Sequence, residues 1–289
     1  MKATLENTYL SIAVKSKGGE LCSLVKKATQ TEYIWQAGRD YWNRHAPVLF
    51  PIVGALKDGI YYYEGKGYKM GQHGLARDLP FRLADRRENE LVYSLKSSPF
   101  TLERYPFEFE LQIIYTLEGN RLTTTYRVIN PSEKTLYFSI GAHPAFNCPL
   151  QEGEKRSDYQ LVFEQPETIS IQRIINGFRN GTWDLVLDNQ QHLPITDHLF
   201  EKDALIFKGL NSTSVSLQKG AQPVLTFNFE GFPYLGIWSK SATAPFVCIE
   251  PWFGVTDNTK HNRQLKEKEG IVALEGKGEI RHAYAITIH

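Results

Sequence analysis

The sequence predicts an all-β fold, an antiparallel sandwich or barrel that occupies residues 1–289 as one domain. Short runs of strand-forming residues recur along the chain, and turn signals such as Gly18-Gly19 and Asn176-Gly177 separate them. Helical signals are scarce, because no stretch carries an apolar face over several helical turns. Many short strands at fairly regular spacing are typical of antiparallel architectures, whereas strands alternating with long helices would indicate a parallel sheet.

The clearest strand pattern lies near the middle of the chain. Between residues 107 and 115 apolar side chains occupy every second position, which predicts a half-buried strand. Residues 118–121 supply a turn and residues 122–129 return with Thr, Tyr and Val, so the two runs predict a hairpin. Shorter runs predict further strands at 4–14, 90–95, 136–140, 160–163, 214–217, 224–229, 235–238, 247–250 and 283–288. We expect helical turns only at 196–204 and 264–269.

Composition and charge narrow the functional classes. The 33 Lys and Arg residues balance 32 Asp and Glu residues to a net charge of +1, so no field attracts nucleic acid. Cys22, Cys148 and Cys248 have no paired spacing, which indicates a reducing, cytoplasmic compartment instead of a disulfide framework. Residues 1–14 do not resemble a signal peptide and no apolar run is long enough for a bilayer, so no membrane partner is expected.

Several catalytic motifs are missing from the sequence. It contains no phosphate-binding loop, no nucleophile elbow and no pair of cysteines at zinc-finger spacing. The sequence therefore predicts neither a metal nor a cofactor. The polar candidates that remain are isolated histidines and carboxylates in apolar or Gly- and Pro-rich settings.

Three segments contain such candidates. His73 lies in the glycine-flanked stretch 70–78, His143 ends a strand just before Pro144, and Glu250 ends an apolar strand just before Pro251. An ionised carboxylate at the end of a buried strand costs free energy unless it is paired, so its presence points to a functional site. For each residue a structural role stays open: His73 and His143 as turn residues, and Glu250 as the partner of an arginine.

The three segments together resemble a known family. Residues 72–77, 142–147 and 248–252, in that order, are similar to the signatures of the aldose 1-epimerase (galactose mutarotase) superfamily. Residues 47–54 most resemble its LacX-like branch. The resemblance extends from residues 18–21 to the final strand, and it implies the large antiparallel β-sandwich of the galactose mutarotase-like group, also called a supersandwich.

The resemblance also implies catalytic roles. His143 would be the general acid that protonates the ring oxygen of a sugar, and Glu250 the base that removes the proton of the anomeric hydroxyl. His73 would donate a hydrogen bond to the sugar beside them. Asp203 is the best match to the substrate-binding aspartate of the family, with Asp197 as the competing choice.

Further substrate contacts are expected around these residues. The family arginine in a Gly-Arg-x-x-Asn-Arg-Ile stretch has no counterpart at residues 54–57, so Arg77 or Arg44 is expected to replace it. Aromatic side chains can stack on the apolar face of a sugar. The expected contacts of this second group are Asn147, Phe146, Trp238 and Trp252, although Phe146 and Trp252 could equally be core residues.

The resulting functional prediction is a cofactor-free aldose 1-epimerase that acts on a small-molecule hexose, as a monomer or homodimer. A hexose-6-phosphate 1-epimerase is the first alternative, because residues 73–77 resemble that branch and Arg44 and Arg77 could hold a phosphate. Arg77 could instead pair with Asp78 or Asp85 on the surface. The second alternative is a carbohydrate-binding protein that has kept the sandwich and lost turnover.

Overall fold

Antiparallel β-strands make up nearly all of the regular structure in residues 2–289, which the computed structural model describes. The predicted all-β class is confirmed. In chain order the strands are β1 (Lys2–Glu6), β2 (Leu10–Lys15), β3 (Glu20–Lys26), β4 (Thr31–Glu32), β5 (Val48–Leu49), β6 (Ile60–Tyr63), β7 (Lys66–Lys69), β8 (Arg82–Arg86), β9 (Glu90–Lys96), β10 (Glu110–Glu118), β11 (Arg121–Ile129), β12 (Leu136–Phe138), β13 (Ile140–Ala142), β14 (Ala145–Asn147), β15 (Tyr159–Ile175), β16 (Phe178–Pro194), β17 (Leu205–Lys208), β18 (Ser214–Lys219), β19 (Gln222–Asn228), β20 (Tyr234–Trp238), β21 (Phe246–Phe253), β22 (Val272–Leu274) and β23 (Glu279–Ile288).

Two large sheets form the sandwich. The first has nine strands in the order β16-β15-β18-β19-β23-β11-β10-β9-β8. The second has six strands, in the order β17-β20-β21-β13-β5 with β14 also paired to β21. Strands β1 to β4 form a separate four-stranded sheet, and β12-β22 and β6-β7 form two small ribbons.

The apolar core lies between the two large sheets. Phe146 of β14 meets Phe227 of β19 with ring centroids 6.1 Å apart, and Phe163 of β15 meets Phe207 of β17 at 5.7 Å. In β21, Val247 and Ile249 belong to this same core cluster, whereas Cys248 and Glu250 do not. Because side chains alternate along a strand, the other face of the six-stranded sheet is left to build a site.

The predicted hairpin at 107–129 is confirmed, with Glu118 of β10 opposite Arg121 of β11. The run 4–14 is two strands instead of one. Between them the side chain of Asn7 accepts hydrogen bonds from the backbone N–H groups of Tyr9 and Leu10, both at 2.8 Å, which turns the chain.

The predicted helical turns are shorter than expected. Residues 196–204 form successive turns, and the left-handed φ of 73° at Asp203 ends them. Within 264–269 a single 3-10 turn spans Leu265–Glu267, and the lone α-helical turn, α1, spans Pro99–Leu102. Further 3-10 turns span Lys57–Gly59, Ala76–Asp78 and Arg156–Asp158. No helix within residues 2–289 has the length and apolarity needed to cross a membrane.

Strands β15 and β16, each of 17 residues, form a hairpin of which sequence reasoning identified only the start and the turn at Asn176-Gly177. The pairing register shifts four times along this hairpin, the first time between Val162 and Glu167. Residues 164–166 are exposed, the next buried position is Glu167 instead of an apolar residue, and most of β16 is exposed. The apolar alternation that marks a half-buried strand is therefore missing from this part of the sequence.

One register relation positions the site. Gly141 of β13 lies opposite Trp252 of β21, and Ala145 of β14 lies opposite Cys248. Both intervals span four residues, so the register continues unbroken between β13 and β14. The residue midway between Gly141 and Ala145 therefore faces the residue midway between Cys248 and Trp252.

The midway residues are His143 and Glu250, which become cross-strand neighbours. On the other side of β21, Gly236 of β20 lies opposite Glu250. Gly236 has no side chain to occupy the space beside Trp252, whose indole packs across it: a Cβ atom at position 236 would lie 2.6 Å from the ring.

We expect Gly236→Ala to destabilise the protein by about 1–3 kcal/mol, because a methyl group forced against a packed indole strains the core. The free energy of unfolding from urea denaturation measures the loss. Gly71→Ala is the matched control, since a Cβ at Gly71 meets no atom within 4 Å. Equal stability of the two variants would contradict the close packing.

Candidate active site

A cavity of about 270 Å³ lies over the face of the six-stranded sheet that carries Glu250. It collects side chains from strand ends and loops that are far apart in sequence. The lining residues are Tyr41, Trp42, Gly54, Gln72, His73, Arg77, His143, Ile174, Gly177, Asp203, Ala204, Ile206, Trp238, Lys240, Glu250, Trp252 and Thr256. The structure thus brings His73, His143 and Glu250 to one place.

His143 and Glu250 form the floor of the cavity. Nε2 of His143 lies 3.2 Å from Oε2 of Glu250, with the side chains 9% and 1% exposed. The backbone N–H of His143 donates to the carbonyl of Pro47 at 3.2 Å, which holds the residue where β13 ends. Oε2 of Glu250 and Nδ1 of His143 make no hydrogen bond, although both are buried. Buried polar groups normally find a partner, so this pair is available to a ligand.

Burial determines the charge of the pair. It raises the pKa of Glu250 well above the usual value, and the nearby carboxylate of Asp203 raises it further. Burial lowers the pKa of His143 to about 3, and the positive charges of Arg77 and Arg44 act in the same direction. His143 is therefore neutral near pH 7, and the burial of Glu250 favours its protonated, uncharged form.

His73 faces His143 across the cavity, with ring centroids 5.6 Å apart. Its backbone has a left-handed φ of 65°, and its N–H donates to the carbonyl of Gly54 at 2.9 Å. In return, the N–H of Gly54 donates to Nδ1 of His73 at 3.2 Å. Because Nδ1 accepts a hydrogen bond, the ring carries its proton on Nε2. Burial, first of all, lowers the pKa of His73 well below 6.5, so it is a neutral donor.

Aromatic rings enclose the imidazole of His143. Trp42 stacks on it at 4.7 Å with an interplanar angle of 27°, and Trp238 meets it edge-on at 5.5 Å. Trp252 is fixed in orientation by a hydrogen bond, which its indole N–H donates to the carbonyl of Ala142 at 3.2 Å. These rings limit the motion of His143 and give the cavity apolar walls.

Charged side chains occupy the rim. Arg77 lines the cavity and donates to the carbonyl of Gln72 at 2.7 Å. Burial lowers the pKa of Arg77 to about 10, so its guanidinium stays charged at neutral pH. Its Nε is buried without a hydrogen-bond partner. Asp203 and Lys240 are the other charged side chains in the lining, apart from Glu250.

Three residues expected in contact with substrate lie outside the cavity. Phe146 is one residue from Ala145, so strand alternation directs it into the core against Phe227. Asn147 donates its amide to the carbonyl of Glu32 at 2.9 Å. Arg44 forms an ion pair with Asp78 at 3.2 Å.

The choice between the two aspartates is a matter of placement. Asp203 lines the cavity, whereas Asp197 does not. Trp42, Tyr41 and Lys240 were missed by sequence reasoning, because they lie in loops without periodicity. The dense aromatic residues at 33–42 are a sequence signal that could have identified Tyr41 and Trp42. No comparable signal marks Lys240.

A second cavity of about 300 Å³ lies beside Phe207 and Phe229. Among its lining residues Glu230 is the one titratable side chain. It therefore offers no acid and base pair, and we assign the candidate site to the cavity around His143 and Glu250.

Several known proteins are similar to this chain in sequence and in fold. Residues 1–268 match the family model described as aldose 1-epimerase. Chromosomal protein LacX of Lactococcus lactis subsp. lactis is 37% identical over 300 residues, which cover 100% of this chain and 99% of LacX.

Two solved structures are similar over the full chain. A galactose mutarotase related enzyme from Lactobacillus acidophilus has 33% identity and a TM-score of 0.95, over 100% of this chain and 97% of that protein. A galactose mutarotase-like protein from Lactobacillus casei ATCC 334 has 31% identity and a TM-score of 0.93, with 100% of both chains covered. The predicted galactose mutarotase-like sandwich is thereby confirmed.

We expect the imidazoles of His73 and His143 to stay neutral as the pH falls from about 7 to about 5, on both sides of the ordinary value near 6.5. Side-chain ¹⁵N chemical shifts report this directly. His198 is the internal control: it is exposed, and its hydrogen bond to Glu201 raises its pKa, so it should titrate. Titration of His143 near pH 6.5 would contradict the burial argument.

The same two histidines should weaken the fold in acid. The unfolded chain regains ordinary imidazole pKa values, so below pH 6.5 it binds protons that the folded chain excludes. Their contribution to the free energy of unfolding therefore falls as the pH drops through this window.

Proposed function

This chain belongs to the aldose 1-epimerase family, and from that membership and its site we propose that it interconverts the α and β anomers of a hexose. The observation that carries the proposal is the 3.2 Å approach of His143 Nε2 to Glu250 Oε2 in the lining of one cavity. At about 270 Å³ the cavity is near the small end of ligand sites, which suits a monosaccharide.

Anomer exchange requires two proton transfers on neighbouring oxygens. A base removes the proton of the anomeric hydroxyl while an acid delivers one to the ring oxygen. The bond between C1 and the ring oxygen breaks, and C1 becomes an aldehyde carbon. Rotation about the C1–C2 bond followed by reclosure gives the other anomer. Each positioned acid or base typically contributes about 10²–10⁴ in rate.

The buried pair can perform both transfers with one proton. Protonated Glu250 with neutral His143 has the same proton count and net charge as ionised Glu250 with protonated His143. Ring opening converts the second arrangement into the first, because Glu250 gains the hydroxyl proton and His143 gives its proton to the ring oxygen. Reclosure reverses the exchange. The site therefore never holds an unbalanced buried charge, which would cost several kcal/mol.

The surrounding residues support this cycle. Stacking of Trp42 on His143 favours the imidazolium form through the cation–π interaction. His73 presents its Nε2 proton as a hydrogen-bond donor to a sugar oxygen without changing charge. Trp238 and Trp252 supply apolar surface for the face of the sugar ring, and Asp203 supplies an acceptor for its hydroxyls.

We expect Glu250→Gln to reduce the rate of mutarotation at least about 10²-fold. Glutamine keeps the shape of the side chain, but its amide cannot act as an acid or a base near neutral pH. Polarimetry with galactose and glucose, extended by NMR exchange over a panel of aldoses, measures the rate. Glu167→Gln is the matched control, since Glu167 is also buried and lies outside the cavity.

The same assays separate an enzyme from a binding module. Retained turnover in Glu250→Gln would remove Glu250 from the mechanism. A wild-type protein that binds sugars in NMR titrations without accelerating anomer exchange would instead be a non-catalytic carbohydrate-binding protein.

One observation favours a phosphorylated sugar as a second candidate substrate. Arg77 lines the cavity, and its buried Nε makes no hydrogen bond, although it lies 3.8 Å from the carboxylate of Asp78. Lys240 lies on the same rim. Charged nitrogen donors are the usual ligands of phosphate oxygens. Of the two arginines predicted for this role, Arg77 lines the cavity and Arg44 does not. Both form an ion pair with Asp78, Arg44 at 3.2 Å and Arg77 at 3.8 Å.

For a sugar phosphate, Arg77→Ala should raise KM by tens-fold, because a hydrogen bond to a charged group contributes about 1.5–3 kcal/mol. The informative quantity is the ratio of KM values for glucose 6-phosphate and glucose, since loss of the bond to Gln72 affects both sugars alike. Arg44→Ala is the control and should leave that ratio unchanged. Anomer exchange accelerated only for the neutral sugar would eliminate the phosphorylated candidate.

A further inference from the structure

Cys248 lies beside the proposed acid and base, and the mechanism does not use it. It precedes Glu250 by two residues in β21, so strand alternation puts both side chains on the same face. Its cross-strand neighbours are Ala145 in β14 and Trp238 in β20. The thiol is fully buried, and burial raises its pKa well above the usual value.

Three different ligand atoms converge here. The sulfur of Cys248, an imidazole nitrogen of His143 and a carboxylate oxygen of Glu250 all lie within 4.8 Å of one another. His143 and Glu250 are more than nine-tenths buried, and each has a polar atom without a hydrogen-bond partner. The convergence is therefore more than a single cysteine near a pocket.

The donor set has the chemistry of a zinc site. Zinc is bound by thiolate, imidazole and carboxylate at about 2.0–2.3 Å, and three protein ligands leave its fourth position open. Tetrahedral bonds of this length place ligand atoms roughly 3.5 Å apart. Atoms that lie up to 4.8 Å apart therefore need to approach by at most about 1.3 Å. Magnesium and calcium prefer oxygen ligands, of which this group offers one residue.

We propose that His143, Cys248 and Glu250 form a site for a thiophilic divalent cation such as Zn²⁺, which blocks the cavity reversibly. Binding of the ion is independent of the proposed function, and inhibition of turnover rests on it. The ion binds the lone pair of one His143 nitrogen, one carboxylate oxygen of Glu250 and the thiolate sulfur of Cys248. Cys248 and protonated Glu250 each release one proton to solvent. One divalent cation replaces two protons, and the buried site stays neutral.

Co²⁺ is the probe that identifies the sulfur ligand. Added to the wild-type protein, it should produce the near-ultraviolet absorption of a thiolate-to-cobalt charge transfer. The band should persist in Cys148→Ser, which alters another fully buried thiol, and disappear in Cys248→Ser and Cys248→Ala. Absence of the band in the wild type, or its persistence without Cys248, would overturn the proposal.

A complementary variant guards against misfolding of the Cys248 substitutions. In Cys22→Ser/Cys148→Ser, Cys248 is the sole remaining cysteine of the three in the sequence, and the band must remain. Zn²⁺ affinity from isothermal titration calorimetry should fall about 100-fold or more in Cys248→Ser, since loss of even an outer partner of a ligand costs about 10–100-fold.

Inhibition is measured separately from binding. Zn²⁺, and not Mg²⁺, should slow mutarotation of the wild type, EDTA should restore it, and saturating sugar should suppress the Co²⁺ band. If the metal-free protein shows no mutarotation, the proposed function fails while the Co²⁺ spectra still decide the metal site. A Co²⁺ band that saturating sugar leaves unchanged would overturn the blocking of the cavity.

Discussion

The site depends on one constraint, the unbroken register of β13 and β14 against β21. That register makes His143 and Glu250 cross-strand neighbours in the middle of a sheet instead of side chains on mobile loops. A slip of one residue would turn either side chain toward the core between the sheets. The two large sheets and their packed aromatic residues therefore maintain the 3.2 Å distance between His143 Nε2 and Glu250 Oε2.

Holding a carboxyl group and an imidazole out of water is costly, and the fold uses local features to make it tolerable. The pair is neutral as a unit, so no net charge is buried. Gly236 gives Trp252 the space to pack beside Glu250, and the exchange of hydrogen bonds between His73 and Gly54 selects one tautomer. Positioned donors of this kind act without reorganising when a substrate arrives.

The features that were predictable from the sequence are those that follow from strand chemistry. A glutamate between Ile249 and Pro251, and a histidine before Pro144, stand out because polar side chains rarely end apolar strands. Those signals led to residues that line the cavity, but the expected strand end at Glu250 is wrong, because β21 continues through Pro251 to Phe253 and Glu250 lies inside the strand. The family resemblance then supplied roles that spacing alone does not contain.

What sequence reasoning missed depended on three-dimensional placement. Trp42 lies in a loop, and no local pattern indicates that its ring stacks on a histidine about a hundred positions away. Phe146 follows directly after the His143-Pro144-Ala145 stretch, yet the alternation of β14 turns it into the core. The hairpin of β15 and β16 was obscured because most of β16 is exposed and one buried position of β15 is Glu167, so no apolar alternation marks it.

That hairpin forms one wall of the cavity, whereas the floor of the cavity belongs to the other large sheet. Gly177 at its tip accepts a hydrogen bond from the hydroxyl of Thr256 at 2.6 Å, and Arg179 forms an ion pair with Glu269 at 2.6 Å. In the proposed function, the floor transfers protons and the wall lies on the far side of the ligand. Because the two belong to different sheets, evolution can lengthen, shorten or recompose the hairpin without altering the register beneath it. If the proposed function holds, ligand preference depends on the hairpin and proton transfer on the six-stranded sheet, and the two can change independently during evolution.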